Sequence, residues 1–226
     1  MASPRKPTAL LLQGTFQLPE AYDKFARLIE SRGFPVVQPP YPSLIGQDQP
    51  HFTKKTLADD VQIVESAITK LIVDESKTIL VVMHSYGGLV GAEAVPENLT
   101  LKSRKERSLH GGIAYFFFFS AFFMPMGQSI ATAVGDSPDH DHWDGRFKMR
   151  DPLTTMYSDL PADQAAYWAA RVIPQSNAVN DTAVPAPVQE MFAHLAGSIV
   201  KKIDSGHSAM LSNPEEVVAL LEDVVL

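Results

Sequence analysis

Residues 77–93, KTILVVMHSYGGLVGAE, decide how the rest of the chain is interpreted. The segment 78–83 is too short for a helix and too apolar for a half-exposed strand, so it predicts a strand buried on both faces. Glycines at positions 87, 88 and 91 then allow a helix to begin close against that strand. Ser85 therefore falls on a sharp strand-to-helix turn, which would present its hydroxyl at the edge of a sheet.

A serine on such a turn is typical of a nucleophile elbow, whose usual sequence motif is G-x-S-x-G. Met83 stands at the first glycine position of this motif, and Gly87 fills the last. The larger side chain of Met83 requires a neighbouring element that leaves room for it. The alternative interpretation of the same residues is an ordinary turn whose serine has no chemical role.

The composition limits the classes of function. The chain has 226 residues, no cysteine and a formal net charge of -7, so we expect a single domain without disulfides or thiolate metal sites. Its charges are dispersed, which predicts no nucleic-acid partner. The apolar stretch 9–12 is too short for a signal peptide, so a cytoplasmic location without a membrane segment is expected.

Strand and helix patterns alternate along the chain, which predicts an α/β fold with a mostly parallel sheet. Breaks at glycine and proline predict a cap or lid inserted at about 128–175, within one domain spanning 1–226. The apolar run 111–127 is shorter than a bilayer requires, so it predicts a central strand. The other predicted strands are 8–12, 34–38 and 197–203, and the predicted helices are 18–31, 56–73, 161–172 and 213–226.

A hydrolytic serine needs a base and an oxyanion hole. In this architecture the histidine comes last in chain order, on a loop after the final strand, which points to His207. The main-chain N–H of Tyr86 follows the nucleophile and is one predicted oxyanion donor. The glycine turn after the first strand can aim the N–H of Thr15 or Phe16 into the same place, although an ordinary turn is the alternative there.

Other residues are assigned by position. His84 precedes the serine and is interpreted as a hydrogen-bonded structural histidine. The run 139–144, DHDHWD, contains metal-ligating residue types, but no helical spacing brings them together, so we expect a solvated lid loop and no metal. Gly14 and a stretch of the apolar run are expected to line the substrate pocket, namely Phe122, Phe123 and Met124. No cofactor is expected.

With these residues placed, the chain resembles the small single-domain α/β-hydrolases common in fungi, relatives of the plant methyl-ester esterases and hydroxynitrile lyases. This resemblance covers nearly the whole chain and implies that Ser85 is the nucleophile and His207 the base, with Tyr86 and Phe16 or Thr15 forming the oxyanion hole. The pieces that carry it are LLLQGTF at 10–16, YPS at 41–43, VVMHSYGG at 81–88, FFSAFFMPMGQS at 118–129, YSDLPADQAAYWAARVIPQS at 157–176 and DSGHSAMLSNPEEV at 204–217.

The sequence departs from the family pattern before residue 185. Family members carry the catalytic aspartate at the end of a late buried strand, and here that strand is missing or shortened, with Asp181 the nearest acid. Loss of the strand would leave a sheet edge unpaired unless residues 177–181 bridge the gap or a second subunit covers the edge, as in a homodimer.

These features predict a serine hydrolase that cleaves a small, largely apolar ester or lactone through an acyl-enzyme on Ser85, with His207 as base and Asp181 as candidate acid. One alternative is a lyase that performs elimination or carbon–carbon cleavage on the same scaffold. Another is a catalytically impaired binding protein, which the absent acid strand would favour.

Overall fold

The computed structural model describes residues 6–122, 139–177 and 197–225. In these ranges the core is a parallel sheet of four strands in the order β2-β1-β3-β4. This confirms the predicted α/β class. The strands are β1 (Thr8–Leu12), β2 (Val36–Val37), β3 (Thr78–His84) and β4 (Gly112–Phe119).

Successive side chains of the central strands point to opposite faces of the sheet, and each face has its own core. On one face Leu10 and Val81 pack against the helices at 57–69 and 87–94, and on the other Leu11 and Leu80 pack against the helices at 23–31 and 214–225. No helix in the described ranges is long and apolar enough to cross a bilayer. The helices are α1 (Asp23–Ser31), α2 (Leu57–Thr69), α3 (Gly87–Ala94), α4 (Leu101–Glu106), α5 (Pro152–Thr155), α6 (Ala162–Ala169), α7 (Ala209–Ser212) and α8 (Pro214–Val225).

Several predicted helices begin or end in tighter or looser turns. The helix predicted at 18–31 opens with a 3-10 turn, Pro19–Tyr22, before α1. The helix predicted at 56–73 is α2 followed by a π-helical turn, Lys70–Asp74. Further short 3-10 turns are Phe52–Lys54 and Glu97–Leu99.

A second, antiparallel sheet lies in the region predicted as the cap. It has the order β5-β6-β7, with β5 at His140–Trp143, β6 at Arg146–Met149 and β7 at Gln175–Ser176. The expectation of a loop at 139–144 was therefore wrong, although all of this segment except His140 is exposed to solvent as expected. The strand forms because its backbone pairs with β6, and because the His140 ring packs 5.3 Å from the rings of both Phe16 and Phe147.

The strand predicted at 197–203 was also wrong, since this segment has no regular secondary structure. Gly197 adopts a positive φ of 66° and Ile199 is 90% exposed, so the segment neither extends regularly nor buries its apolar side chain. Within the described ranges β3 is the only strand that pairs with β4, and Ile113 of β4 adds an isolated parallel bridge to Thr100. The late acid-bearing strand would fall in residues 178–196, outside the described residues, and its loss remains a prediction.

The elbow between β3 and α3 is packed at van der Waals distance. A Cβ atom at Gly91 would lie 2.5 Å from Sδ of Met83, so Gly91 supplies the room that the larger residue in the motif requires. A Cβ atom at Gly88 would overlap the main-chain oxygen of Phe122. Both glycines let α3 begin directly against the sheet.

We expect Gly88→Ala to destabilise the protein more than Gly91→Ala. The methyl group at position 88 meets main-chain atoms that cannot move without distorting the elbow, whereas the Met83 side chain is flexible and can change rotamer. Overpacking of this kind costs about 1–3 kcal/mol, and we expect Gly88→Ala at or above the upper end. Urea denaturation of both variants gives the comparison, and equal losses would contradict it.

Candidate active site

Ser85 is held in a strained backbone conformation at the tip of the elbow. Its φ is 51°, in the left-handed region that residues with a Cβ rarely adopt, and its side chain is buried with 2% exposure. Its main-chain N–H donates to the oxygen of Ser120 at 3.1 Å, and its own oxygen accepts from the N–H groups of Gly88 and Phe122 at 3.0 Å. These bonds fix a conformation that costs on the order of 1–3 kcal/mol and that clusters at functional sites.

Gly14 brings the loop after β1 into contact with the elbow. A Cβ atom at this position would lie 2.8 Å from Cβ of Ser85 and 2.9 Å from Nδ1 of His84. Its N–H donates to the hydroxyl of Tyr22 at 2.8 Å, which holds the loop in place. The predicted pocket residue Gly14 therefore lies directly beside the serine, and a side chain there would push the two loops apart.

Thr15 and Phe16 follow in the same loop and are both buried. Phe16 has a φ of 63°, which is unusual for a bulky side chain. No described residue accepts a hydrogen bond from the main-chain N–H of Thr15 or Phe16. These two donors lie in the loop that Gly14 holds against Ser85, so they are suited to stabilise negative charge that develops beside the serine.

The fully buried ring of His84 bridges two parts of the site. Its Nδ1 lies 2.7 Å from the hydroxyl of Tyr22, and its Nε2 lies 2.9 Å from the main-chain oxygen of His207. A carbonyl oxygen can only accept, so Nε2 carries the hydrogen and Nδ1 is an acceptor that faces the Tyr22 hydroxyl. Burial, reinforced by the nearby His207, lowers the pKa of His84 to about 3, so the ring is neutral at pH 7.

His207 lies next to His84, with 5.0 Å between the two ring centroids. Its partly buried ring loses hydration, which lowers its pKa to about 4. No hydrogen bond joins this ring to the Ser85 hydroxyl or to a carboxylate of the described residues. Nucleophile–base hydrogen bonds often tighten only when substrate is bound.

The side chain of Tyr86 is anchored away from the serine. Its hydroxyl donates to Oδ2 of Asp60 at 2.7 Å, and Ser43 donates to the same carboxylate through its N–H at 3.0 Å and its hydroxyl at 2.5 Å. Burial raises the pKa of Asp60, and these hydrogen bonds oppose that rise. The anchored ring fixes the residue whose main-chain N–H is the other predicted oxyanion donor.

Several residues of this arrangement were not identified from the sequence. The side-chain amide of Gln17 lies 2.9 Å from the Tyr22 hydroxyl, 3.1 Å from that of Ser208 and 3.3 Å from that of Tyr157. Asp159 binds the loop that carries His207. These partners are up to 191 residues apart in the chain, and no local pattern marks such contacts.

The remaining predicted site residues fall into two groups. Phe122 is buried with 3% exposure, and its main-chain N–H supports Ser85. Phe123, Met124 and Asp181 lie outside the described residues, so their assigned roles remain predictions. Within the described ranges, the structure thus gathers Ser85, Gly14 with its loop, and His207 around His84.

The described residues include no group of three or more histidine, aspartate or glutamate side chains placed to hold a metal ion. In the 139–144 segment His140 is 5% exposed, and neither of its ring nitrogens has a hydrogen-bond partner among the described residues. Burial lowers its pKa. Its ring belongs to the aromatic cluster with Phe16 and Phe147.

Solved structures similar to this chain share its fold. A polyneuridine aldehyde esterase matches with a TM-score of 0.72 at 16% identity, covering 96% of this chain and 98% of that one. Tomato methylketone synthase I in complex with 2-tridecanone matches with a TM-score of 0.69 at 18% identity, covering 97% of both chains. A pyrethroid hydrolase from Sphingobium faniae matches with a TM-score of 0.71 at 14% identity, covering 96% of both chains.

The sequence itself gives the family assignment. No curated protein matches the sequence. The family profile described as "Alpha/beta hydrolase family" matches residues 9–220, which include every described strand of the parallel sheet except the first residue of β1, together with Ser85 and His207. The chain therefore belongs to the alpha/beta hydrolase family.

Proposed function

We propose that the protein is a serine hydrolase that cleaves a small, largely apolar ester or lactone without a cofactor. The observation that carries this proposal is the meeting of three features at one point. Ser85 is strained at the elbow, Gly14 brings the loop of Thr15 and Phe16 against Ser85, and the main-chain oxygen of His207 lies 2.9 Å from Nε2 of His84, the residue before Ser85. Structural neighbours named as an esterase and a pyrethroid hydrolase agree with hydrolysis.

In the proposed reaction, the neutral imidazole of His207 takes the hydroxyl proton of Ser85 while Oγ of Ser85 attacks the carbonyl carbon of the ester. The carbonyl oxygen becomes an oxyanion, which the main-chain N–H of Tyr86 and that of Thr15 or Phe16 stabilise. The C–O bond to the leaving group then breaks, and His207 returns the proton to the departing alkoxide. An acyl group remains on Ser85.

Water completes the cycle. His207 takes a proton from a water molecule, which attacks the acyl carbon and forms a second oxyanion in the same place. Collapse of this intermediate breaks the bond to Ser85, whose oxygen recovers the proton from His207. Asp181 remains the proposed acid that would hold the imidazole and stabilise its charged form.

The apolar surroundings of the site support an apolar substrate. Phe16, in the loop after Gly14, and Phe122, whose main-chain N–H donates to Ser85, are each 3% exposed. Phe16 also joins the aromatic cluster that includes Phe147 in the cap sheet. A panel of 4-nitrophenyl esters and aryl lactones with increasing acyl length would define the class.

We expect Ser85→Ala to abolish ester hydrolysis and labelling by a serine-directed phosphonate while leaving the melting temperature nearly unchanged. Alanine keeps the Cβ and occupies the same backbone conformation at a similar cost. Ser76→Ala is the matched control, because Ser76 also has a positive φ, of 52°, but lies exposed in the turn before β3. Turnover or labelling retained by Ser85→Ala would contradict the proposal.

We also expect the activity to persist to a lower pH than it would if the base were an exposed histidine. The base must be neutral, and burial lowers the pKa of His207 to about 4. The value of kcat/KM should therefore stay level from pH 7 to about 5.5 and fall as the pH approaches 4. Circular dichroism at each pH separates this loss from acid unfolding. A midpoint near the ordinary histidine pKa of about 6.5 would contradict the expectation.

A further inference from the structure

The loop that carries His207 is bound by a carboxylate from the cap region. Oδ2 of Asp159 accepts hydrogen bonds from the main-chain N–H of Gly206 at 2.5 Å and from the hydroxyl of Ser205 at 3.2 Å. The Ser205 hydroxyl also lies 3.1 Å from that of Ser212, in α7, which follows His207. Asp159 is therefore bound to the two residues before His207, and Ser205 links this contact to the helix after it.

The contact between the Asp159 carboxylate and Gly206 leaves no room for a larger residue at position 206. A Cβ atom at Gly206 would lie 2.5 Å from Oδ1 of Asp159, so any other residue at this position would displace the carboxylate. Partial desolvation raises the pKa of Asp159, but the hydrogen bonds from Ser212, Gly206 and Ser205 outweigh it and hold the pKa below its usual range. The carboxylate is thus ionised at neutral pH, and a hydrogen bond to an ionised acceptor is stronger than one to a neutral acceptor.

This contact stands where the fold supplies little other support. Residues 197–206 form no helix or strand, so no sheet ladder fixes the approach to His207. Instead, three successive residues are held one by one. Gly206 is held by Asp159, the main-chain oxygen of His207 by His84, and the hydroxyl of Ser208 by Gln17.

We propose that Asp159 is a positioning residue for His207, in that its carboxylate fixes the main chain one residue before the base and so sets the direction of the imidazole. The inference rests on the proposed function, since it assumes that His207 serves Ser85. It differs from a triad acid because Asp159 binds the peptide N–H of Gly206 and makes no hydrogen bond to the His207 ring. It is also independent of the role proposed for Asp181.

Other acids near the loop do not offer this contact. Asp204 is closer in sequence, but its described hydrogen bond runs through its main-chain oxygen, which accepts from the Asn213 side chain. Asp163, four residues beyond Asp159, lies in the first turn of α6 and is exposed. Asp163→Asn is therefore a matched control that removes the same charge from the same part of the cap.

The first test compares kinetics of Asp159→Ala, Asp159→Asn and Asp163→Asn with a 4-nitrophenyl ester. A misplacement of about 1 Å at a catalytic group can lower a rate by about a hundredfold. We expect Asp159→Ala to lower kcat by about tenfold to a hundredfold with KM within about twofold. Asp159→Asn should recover part of the loss, because its amide oxygen can still accept from Gly206, and Asp163→Asn should match the parent.

The second test breaks the same contact from the other side. We expect Gly206→Ala to reproduce the kinetic defect of Asp159→Ala, and the double variant to lose little more than either single variant. Additive losses would overturn the proposal, as would a normal kcat in Asp159→Ala. Circular dichroism verifies that each variant is folded, and the exposed position of Asp159 favours a small change in melting temperature.

The third test does not depend on turnover. The Cε1–H resonance of His207, assigned with a His207→Gln variant, reports the environment of its ring by carbon–proton NMR. We expect it to shift or broaden in Asp159→Ala and to stay in place in Asp163→Asn, and an unchanged resonance in both would overturn the inference. If the parent protein neither hydrolyses esters nor reacts with the phosphonate, the proposed function fails, while this resonance still decides whether Asp159 positions His207.

Discussion

The hydrogen bond from Nε2 of His84 to the main-chain oxygen of His207 is the contact on which the site depends. It joins the end of β3 to a residue 123 positions later in the chain. Through Nδ1 the same ring reaches Tyr22, whose hydroxyl accepts from Gly14. One neutral imidazole thus fixes the distances between the elbow, the loop of residues 14–16 and the loop that carries His207.

This arrangement is sensitive because His84, Tyr22 and Gly14 are buried and the bond to His207 is partly buried. A donor or acceptor left without a partner in such a place costs about 1–3 kcal/mol. The Tyr22 hydroxyl receives the N–H of Gly14, and its one proton faces two acceptors, Nδ1 of His84 at 2.7 Å and Oε1 of Gln17 at 2.9 Å. These contacts tie the loop after β1, the residue before Ser85 and Gln17 to one hydroxyl. A site held by such contacts is positioned before substrate arrives.

Close backbone approach is the second requirement of the site. Gly14 touches Ser85 and His84, and Gly88 touches Phe122, so the loop after β1, the elbow and the end of β4 meet without intervening side chains. Small residues here allow the strained φ values of Ser85 and Phe16 to be held by hydrogen bonds from neighbouring main chain. The strain is thus stabilised by the surrounding sheet rather than by the residues that carry it.

Features that depend on neighbouring residues were predictable from the sequence. The limits of β1, the strand that precedes Ser85 and the buried, bonded state of His84 follow from apolar runs and turn residues. The strand at 140–143 was missed although its signal is local, since Asp144 and Gly145 both have positive φ and form a two-residue turn to β6. The irregular path of 197–203 did not follow, because a strand needs a distant partner and the described residues supply none for this segment. Asp159 was missed for the same reason, since its hydrogen bond to the N–H of Gly206, a residue distant in the chain, is what distinguishes it from other exposed aspartates.

Under the proposed mechanism, the electrostatics of His207 explain why its main chain is held so firmly. Burial lowers the pKa of His207 to about 4, which keeps the imidazole neutral but makes it a weaker proton acceptor than an exposed histidine. In that mechanism, proton transfer from Ser85 has to be favoured by geometry and by the oxyanion that forms at the same moment, whose charge stabilises the imidazolium. This stabilisation falls off with distance, so the proposed base has to be held in a fixed position. His84 on the carbonyl of His207, Asp159 on the preceding N–H and Gln17 on the following hydroxyl supply that restraint without placing a charge on the ring itself.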